Sequence, residues 1–432
     1  MNVHDSEQMA TLLRESGYQA TDDVKLADLI LLNTCSIREK AAQKVYSELG
    51  RLTSLKENNP ELIIGVGGCL AQHLGNKLHK RVGQLDFIFG THNIHELPEI
   101  IRSIRNKREK ITRIDFDKSI HSISIYAPPA KGSVSAFVTI MQGCNNYCSY
   151  CVVPYLRGPE MSRPSREIIE EINKLAACGV KEVTLLGQNV NSYGRTSEDE
   201  INFSALIKKI GKISGIERIR FTTSHPRDMS EELMNCFVEE EKLCEHIHLP
   251  VQSGSNRILS LMNRGYSIDD YLKKVDSLRK ICPGISITSD VIVGFPGETQ
   301  KDYQETIDMM EKIRFDSTFS FKYSERKGTA AEKLDGGIIE CEKQRRLKQL
   351  QALQNKHTMV RNLELEGSRQ ELLIEGRSRN SESDLMGRAR SWKIVNFKGE
   401  EELLGKLVNV SIKKAYLHSL RGELVEEIAN AD

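Results

Sequence analysis

Residues 136–151 read AFVTIMQGCNNYCSYC: an apolar strand over 136–141, a glycine, then three cysteines, Cys144, Cys148 and Cys151, spaced Cys-x3-Cys-x2-Cys. The strand recurs downstream as short apolar runs at 182–187, 218–223, 246–251, 286–295 and 316–323. Helical stretches fall between them, for example 166–177 and 302–313. Short apolar strands alternating with helices imply parallel strands joined by crossovers. Six such βα units predict a partial barrel of the TIM kind, two units short of closing. Active sites of βα barrels sit at the C-terminal ends of the strands. The cysteine loop follows the first barrel strand, so it lies at that end.

The flanks read differently. Residues 1–107 alternate helix (6–17, 38–56) with strand (28–35, DLILLNTC; 61–69, ELIIGVGGC; 86–90, DFIFG). This predicts a doubly wound parallel sheet. Such a domain normally opens on a strand, whereas this chain opens on a helix; the expectation is a first strand upstream of Met1. Residues 108–133, with Pro128-Pro129, read as a polar linker. Beyond a basic helix at 343–361, apolar residues alternate at 371–374, 393–397 and 407–412, with glycine turns between. That pattern predicts a small antiparallel β-barrel. The expected class is therefore α/β with three domains, at 1–107, 130–362 and 365–428.

Composition bounds the possibilities. Hydrophobic residues are 39% and charged residues 28%, ordinary for a globular chain. No apolar run reaches the ~20 residues that span a bilayer, and MNVHDSEQMA lacks the basic and apolar regions of a signal peptide. The expectation is a cytoplasmic protein without a membrane partner. A net charge of +1 gives no whole-chain sign of nucleic-acid binding, so any basic patch is local. Ten cysteines without a secretion signal argue against a disulfide framework. Three thiolates within eight residues suit an iron–sulfur cluster with one iron left open. The alternative is a zinc site short of its usual fourth ligand.

The segment Gly143-Cys144-Asn145-Asn146-Tyr147-Cys148-Ser149-Tyr150-Cys151 resembles the signature of the radical S-adenosylmethionine (SAM) superfamily. Further stretches resemble the methylthiotransferases within it, and most closely their MiaB type. They are Asn33-Thr34-Cys35-Ser36-Ile37-Arg38, Gly67-Gly68-Cys69, Gly187-Gln188-Asn189-Val190-Asn191, Thr222-Thr223-Ser224-His225-Pro226, His248-Leu249-Pro250-Val251-Gln252-Ser253-Gly254 and Gly294-Phe295-Pro296-Gly297-Glu298-Thr299. The resemblance covers essentially the whole chain. It implies an N-terminal methylthiotransferase domain, a radical SAM core and a C-terminal TRAM domain that binds RNA. It also implies that Cys144, Cys148 and Cys151 hold a 4Fe–4S cluster whose open iron chelates SAM. Cleavage of SAM then yields methionine and a 5′-deoxyadenosyl radical, chemistry carried by the cofactor.

The family further implies a second 4Fe–4S cluster on three N-terminal cysteines. Cys35 and Cys69 match two of them; the plain alternative is burial as small apolar groups. The third belongs to the strand expected upstream of Met1, so the chain as written is expected to hold one cluster firmly. The other cysteines, at 178, 236, 244, 282 and 341, lack ligand spacing and read as structural. SAM contacts are expected from strand-end segments: Gly187, Gln188 and Asn189; Ser224 and His225; His248 and Gln252; Val293 and Glu298. Gly294, Pro296 and Gly297 alternatively only shape a turn. Arg157, Arg163 and Arg166 are candidates for SAM carboxylate or RNA phosphate, or are plain surface arginines. In the small barrel, Arg377, Arg379, Arg388, Arg390, Lys393, Lys413, Lys414 and Arg421 are candidates for RNA.

The expected reaction converts C–H to C–SCH3 at C2 of an N6-isopentenylated adenine beside the tRNA anticodon. One SAM supplies the methyl group and another the radical. The expected partners are the tRNA anticodon loop and an electron donor such as flavodoxin or ferredoxin, the chain acting as a monomer. Removing residues 365–432 is expected to weaken tRNA binding and spare SAM cleavage. The rivals are methylthiolation of threonylcarbamoyl-adenosine or of a ribosomal-protein aspartate, and, in another class, a non-catalytic RNA-binding iron–sulfur redox sensor.

Overall fold

The computed structural model describes residues 1–34, 39–116, 124–379, 381 and 383–425. It divides into two compact units. The first holds Met1–Pro128 with Thr139–Tyr147 and Cys151–Glu167, and the second holds Pro129–Val138, Cys148–Tyr150 and Ile168–Asp432.

In the first unit four parallel strands, β1 (Leu29–Thr34), β2 (Ile63–Gly68), β3 (Phe87–Phe89) and β4 (Ile111–Arg113), lie side by side in that order. Alternate residues serve opposite faces. Ile63, Phe87 and Phe89 pack with Met9 of the helix Asn2–Glu15 and with Ile100, Ile101 and Ile104 of the helix Leu97–Lys107. Ile64, Val66 and Ile88 pack with Leu49 and Leu52 of the helix Glu39–Asn58. Burial on both faces explains the near-continuous apolar runs. It also explains glycines within β2. A Cβ on Gly65 would meet the Phe87 ring at 2.1 Å, and one on Gly67 the Phe89 ring at 2.3 Å.

Two expectations change here. Strand β4 lies inside the stretch read as a linker; Ile-Thr-Arg offers too short a pattern to be seen. Cys69 does not end a strand but opens the short helix Cys69–Leu74. The chain continues into β5 (Ser135–Thr139), which belongs to the barrel below. It then forms a short antiparallel pair, β6 (Met141–Gln142) with β7 (Met161–Ser162).

All six expected barrel strands are present. Strands β5, β8 (Glu182–Leu186) and β9 (Arg218–Phe221) form one ladder. Strands β10 (His246–His248), β11 (Ser286–Val293) and β12 (Ser317–Lys322) form the other. The pairs β8–β9, β10–β11 and β11–β12 are parallel, and a parallel bridge from Ile219 to Leu243 spans the seam. The helix expected at 302–313 starts earlier, at Gln300, because Thr299 and Asp302 form a reciprocal capping box.

The C-terminal barrel closes through five strands, β13 (Arg369–Arg377), β14 (Asp384–Ala389), β15 (Ile394–Lys398), β16 (Leu407–Ala415) and β17 (Leu420–Leu424). Its core is Leu372, Ile374, Leu385, Val395, Phe397, Val410, Ile412 and Leu420 with two alanines. It is not wholly antiparallel, since β15 and β17 pair in parallel. Strands β14 and β17 escaped the sequence pattern because each carries an interior glycine and an arginine. Packing demands those glycines: a Cβ on Gly387 would lie 2.8 Å from Ile374, and one on Gly422 would lie 2.2 Å from Val410.

The barrel is seated on β9. Arg218 and Arg220 are fully buried. Arg218 donates to the carbonyls of Arg388 and Glu371 and to the Glu371 carboxylate at 2.7–2.9 Å. Arg220 donates to the carbonyls of Arg390 and Ala389 and to the Glu182 carboxylate. Trp392 lies under the Arg220 guanidinium and stacks on His246. Arg390 forks onto Glu245, Arg388 onto Glu375, and Lys393 reaches Asp316. Arg421 pairs with Asp384. These four cations, read as RNA candidates, are engaged within the protein.

Candidate active site

The cysteine loop turns on Gly143, whose φ of +83° and lack of a Cβ are both needed; an added Cβ would lie 1.9 Å from the Pro159 carbonyl. The Cys144 amide donates to the Gly158 carbonyl, and the Asn145 side chain accepts from the Glu160 amide. Cys144 and Cys148 are buried and Cys151 partly so. The Val153 amide points at the Cys151 sulfur, 3.5 Å away. Among the described residues no three His, Cys, Asp or Glu side chains are gathered closely enough to hold a metal ion.

Within the second unit, Cys148 meets a residue absent from the sequence reading. Arg264 is buried and donates to the Cys148 sulfur at 3.3 Å, the Tyr150 hydroxyl at 3.4 Å and the Pro250 carbonyl at 2.7 Å. Tyr266 beside it donates to the Val251 carbonyl and packs edge-on against His225. Arg264 and Tyr266 thereby tie Cys148 to the ends of β9 and β10. The available signal was weak. Asn263-Arg264-Gly265-Tyr266 is a polar turn after a short helix, with positive φ at Asn263 and Gly265.

The strand-end candidates gather along the same rim. The Val190 amide donates to the Thr223 carbonyl, and Asn189 donates to Asp228, which also holds Arg195. Four buried polar atoms there have no hydrogen-bond partner among the described residues: Asn189 Oδ1, Asn191 Oδ1, Ser224 Oγ and His225 Nε2. Buried polar atoms are normally paired, so this cluster suits a polar ligand. Burial, then the Arg264 cation, push the His225 pKa down to about 2, so the ring is neutral. Thr223 and Gln252, both just past strand ends, hold positive φ. Such strain in non-glycine residues concentrates at functional sites. Gln252 is bridged to Val291 of β11.

Other candidates have structural partners. His248 Nδ1 lies 3.0 Å from Thr288 Oγ1, and its Nε2 is 3.6 Å from Asp290. Glu298 accepts from the Gly294 amide and from buried Arg346, so it clamps the Gly294–Gly297 turn from within. Val293 is a fully buried strand end, and Gly187 and Gln188 begin the loop after β8.

Cys35 lies outside the described residues. Cys69 is buried, beside the Arg157 guanidinium. Burial opposes the charge of Arg157, but Asp5 at 2.7 Å and Cys69 hold its pKa above the ordinary value. Arg163 is also buried and donates to the Thr139 carbonyl. Both are buried, so neither is the plain surface arginine that was the alternative reading. Cys236, Cys244 and Cys282 are buried with thiol pKa values raised by burial, Cys244 to about 11, as inert core groups should be.

The donor set fits an iron–sulfur cluster in its chemistry. A cluster needs anionic sulfur ligands, and this loop offers three thiols, one touched by a buried cation and one by a backbone N–H.

Comparison with known proteins covers the chain from end to end. Residues 1–90 match the uncharacterized protein family UPF0004, 138–310 the Radical SAM superfamily and 364–425 the TRAM domain. A solved radical SAM methyltransferase, TsrM from Kitasatospora setae with cobalamin and a 4Fe–4S cluster bound, shares the fold. Its TM-score is 0.56 at 14% identity, over 74% of this chain and 69% of that one. Much nearer in sequence is a tRNA-2-methylthio-N(6)-dimethylallyladenosine synthase of Syntrophus aciditrophicus, 60% identical over 100% of this chain and 94% of the relative. The Geobacter sulfurreducens protein of the same name is 50% identical over 100% and 96%. With likeness of that degree from end to end, the chain belongs to the tRNA-2-methylthio-N(6)-dimethylallyladenosine synthase family, the MiaB type of radical SAM methylthiotransferase.

Proposed function

We propose that this chain converts N6-isopentenyladenosine at position 37 of tRNA, next to the anticodon, to its 2-methylthio derivative. The observation that carries this reading is the 60% identity across the whole chain with a synthase named for that product. One SAM would give the methyl group and another the radical. Cys144, Cys148 and Cys151 would hold the core 4Fe–4S cluster, which when bound supplies the electron that opens SAM. Asn189, Ser224, neutral His225 and Gln252 would orient SAM through the polar atoms and strained backbone of the rim. Gly187, Gln188, His248 and Val293 would shape the same wall, and Glu298 would support it from beneath. Cys35 and Cys69 would serve a second cluster. Flavodoxin or ferredoxin would deliver electrons in the cytoplasm, where the tRNA is. The target adenine must leave its stack to present C2 to the barrel mouth.

The test is nucleoside analysis of tRNA from a host lacking its own enzyme and supplied with this chain. Methylthio-isopentenyladenosine should return while isopentenyladenosine falls. Methylthiolation of threonylcarbamoyl-adenosine instead would overturn the substrate.

Of the basic residues in the small barrel, Arg379, Lys413 and Lys414 are exposed; Lys413 lies in a surface ion pair with Glu423, and Lys414 sits over the half-exposed Tyr416 ring. They are the group best placed for RNA phosphate. Replacing Lys413 and Lys414 by alanine should weaken tRNA binding and flatten its salt dependence by about one unit of log–log slope for each phosphate no longer neutralised. Filter binding at several salt concentrations reads this directly. An unchanged slope would remove these two lysines from the RNA interface.

A further inference from the structure

We propose that Arg264 is a positioning residue for the core cluster: it hydrogen-bonds the Cys148 ligand sulfur, fixes that side chain to the barrel rim, and makes the bound cluster easier to reduce. The proposal rests on the reading that Cys148 is a cluster ligand.

Charge around Arg264 is unbalanced. Four other buried arginines have carboxylate partners: Asp5 for Arg157, Glu371 for Arg218, Glu182 for Arg220 and Glu298 for Arg346. Arg264 is as deeply buried, yet among the described residues it forms no ion pair with an aspartate or glutamate. It reaches a carbonyl, the hydroxyls of Tyr150 and Tyr266, and the Cys148 sulfur. A buried guanidinium without a counter-charge is costly. Of the groups within its reach, the Cys148 sulfur is the one that an iron–sulfur cluster would hold in anionic form. Thiolate is the form that binds iron. The site is therefore built around a cation whose natural partner is an iron-bound sulfur.

Geometry adds direction. Nη2 is fixed on the Pro250 carbonyl and Nε on Tyr266, whose own hydroxyl is held by Val251. The fork is thus anchored to the segment after β10, and Nη1 is the nitrogen aimed at sulfur. Hydrogen bonds to the sulfurs and the net charge nearby set the reduction potential of a cluster. A fixed cation beside a ligand sulfur stabilises the form with one more electron. The step affected is a one-electron transfer from an external low-potential one-electron donor. No bond forms or breaks in it.

The test uses the full chain, reconstituted with iron and sulfide, as wild type, Arg264→Leu and Arg264→Lys. Iron per chain and thermal melting are measured first. A redox titration without SAM follows, read by electron paramagnetic resonance, with the core signal identified as the one that shifts when SAM is added. At the poise that half-reduces the wild-type core cluster, Arg264→Leu should show a reduced-to-oxidised ratio about tenfold lower, equivalent to about 59 mV for one electron. Arg264→Lys, which keeps the charge, should recover most of that loss. Iron lost in Arg264→Leu and regained in Arg264→Lys would also support the proposal. A fully loaded Arg264→Leu with the wild-type potential overturns it and leaves the cluster reading intact. Both variants folded but empty overturn it too, because charge would not be what Arg264 contributes. A wild-type chain that loads no core cluster would instead sink the underlying reading. Should Arg264→Leu fail to fold, Arg264→Gln takes its place with the same expectations.

Discussion

Replacing Cys148 by alanine is expected to abolish reductive cleavage of SAM while leaving the fold in place. The loop offers three thiols, and a 4Fe–4S cluster that keeps one iron open for SAM needs all three. Losing one leaves a two-ligand site, so 5′-deoxyadenosine formed with dithionite should fall to background. The fold should survive even though Arg264 loses its contact with the sulfur. Cys148 is a small side chain, and Arg264 retains the Pro250 carbonyl and Tyr266. Far-UV circular dichroism should stay near wild type, and Cys144→Ala and Cys151→Ala should behave alike. Cys236→Ala is the control, because that thiol is buried on the helix Glu231–Glu239 with its pKa raised by burial. It should leave cleavage unchanged. Continued 5′-deoxyadenosine production by Cys148→Ala would contradict the radical SAM assignment of this loop.

What the sequence made legible follows the strength of local signals. The six barrel strands were legible from their apolar residues and from the helices between them, even though β5 and β12 carry exposed positions. Strand β4 is three residues long, and β14 and β17 break their alternation with Gly387, Arg388, Arg421 and Gly422, so periodicity missed them. The chemistry divides in the same way. Cysteines at fixed spacing and polar residues just after strands stand out. A residue whose importance comes from a distant partner does not. Arg264 gains its meaning from Cys148, 116 positions away, and Arg157 from Asp5, 152 positions away. In the small barrel, charge alone did not separate surface residues from packed ones. Arg388 places its guanidinium on Glu375 and over Trp392, Arg390 on Glu245, and Lys393 reaches Asp316 and Asn362.

Charge used inside the fold leads to the largest expected loss of stability. Arg220 is fully buried and serves three acceptors at once: Glu182 Oε2, the Arg390 carbonyl and the Ala389 carbonyl. Alanine at 220 would leave the Glu182 carboxylate, itself 3% exposed, without its cation. Removing one partner of a buried ion pair costs about 3–5 kcal/mol. Folded proteins are stable by only about 5–15 kcal/mol, so Arg220→Ala should lower the urea midpoint steeply. Arg377→Ala removes an ion pair to Glu401 in which both side chains are more than half exposed; it should cost no more than about 1 kcal/mol. The same interactions alter the expected outcome of deleting residues 365–432. That deletion strips five acceptors from Arg218 and Arg220 together with the ring of Trp392, exposing the base of the core barrel. The shortened chain should therefore lose stability as well as tRNA affinity, and SAM cleavage should decline with the fraction folded. If Arg220→Ala instead unfolds at the wild-type urea midpoint, these arginines do not seat the small barrel, and the deletion returns to being a clean test of RNA binding.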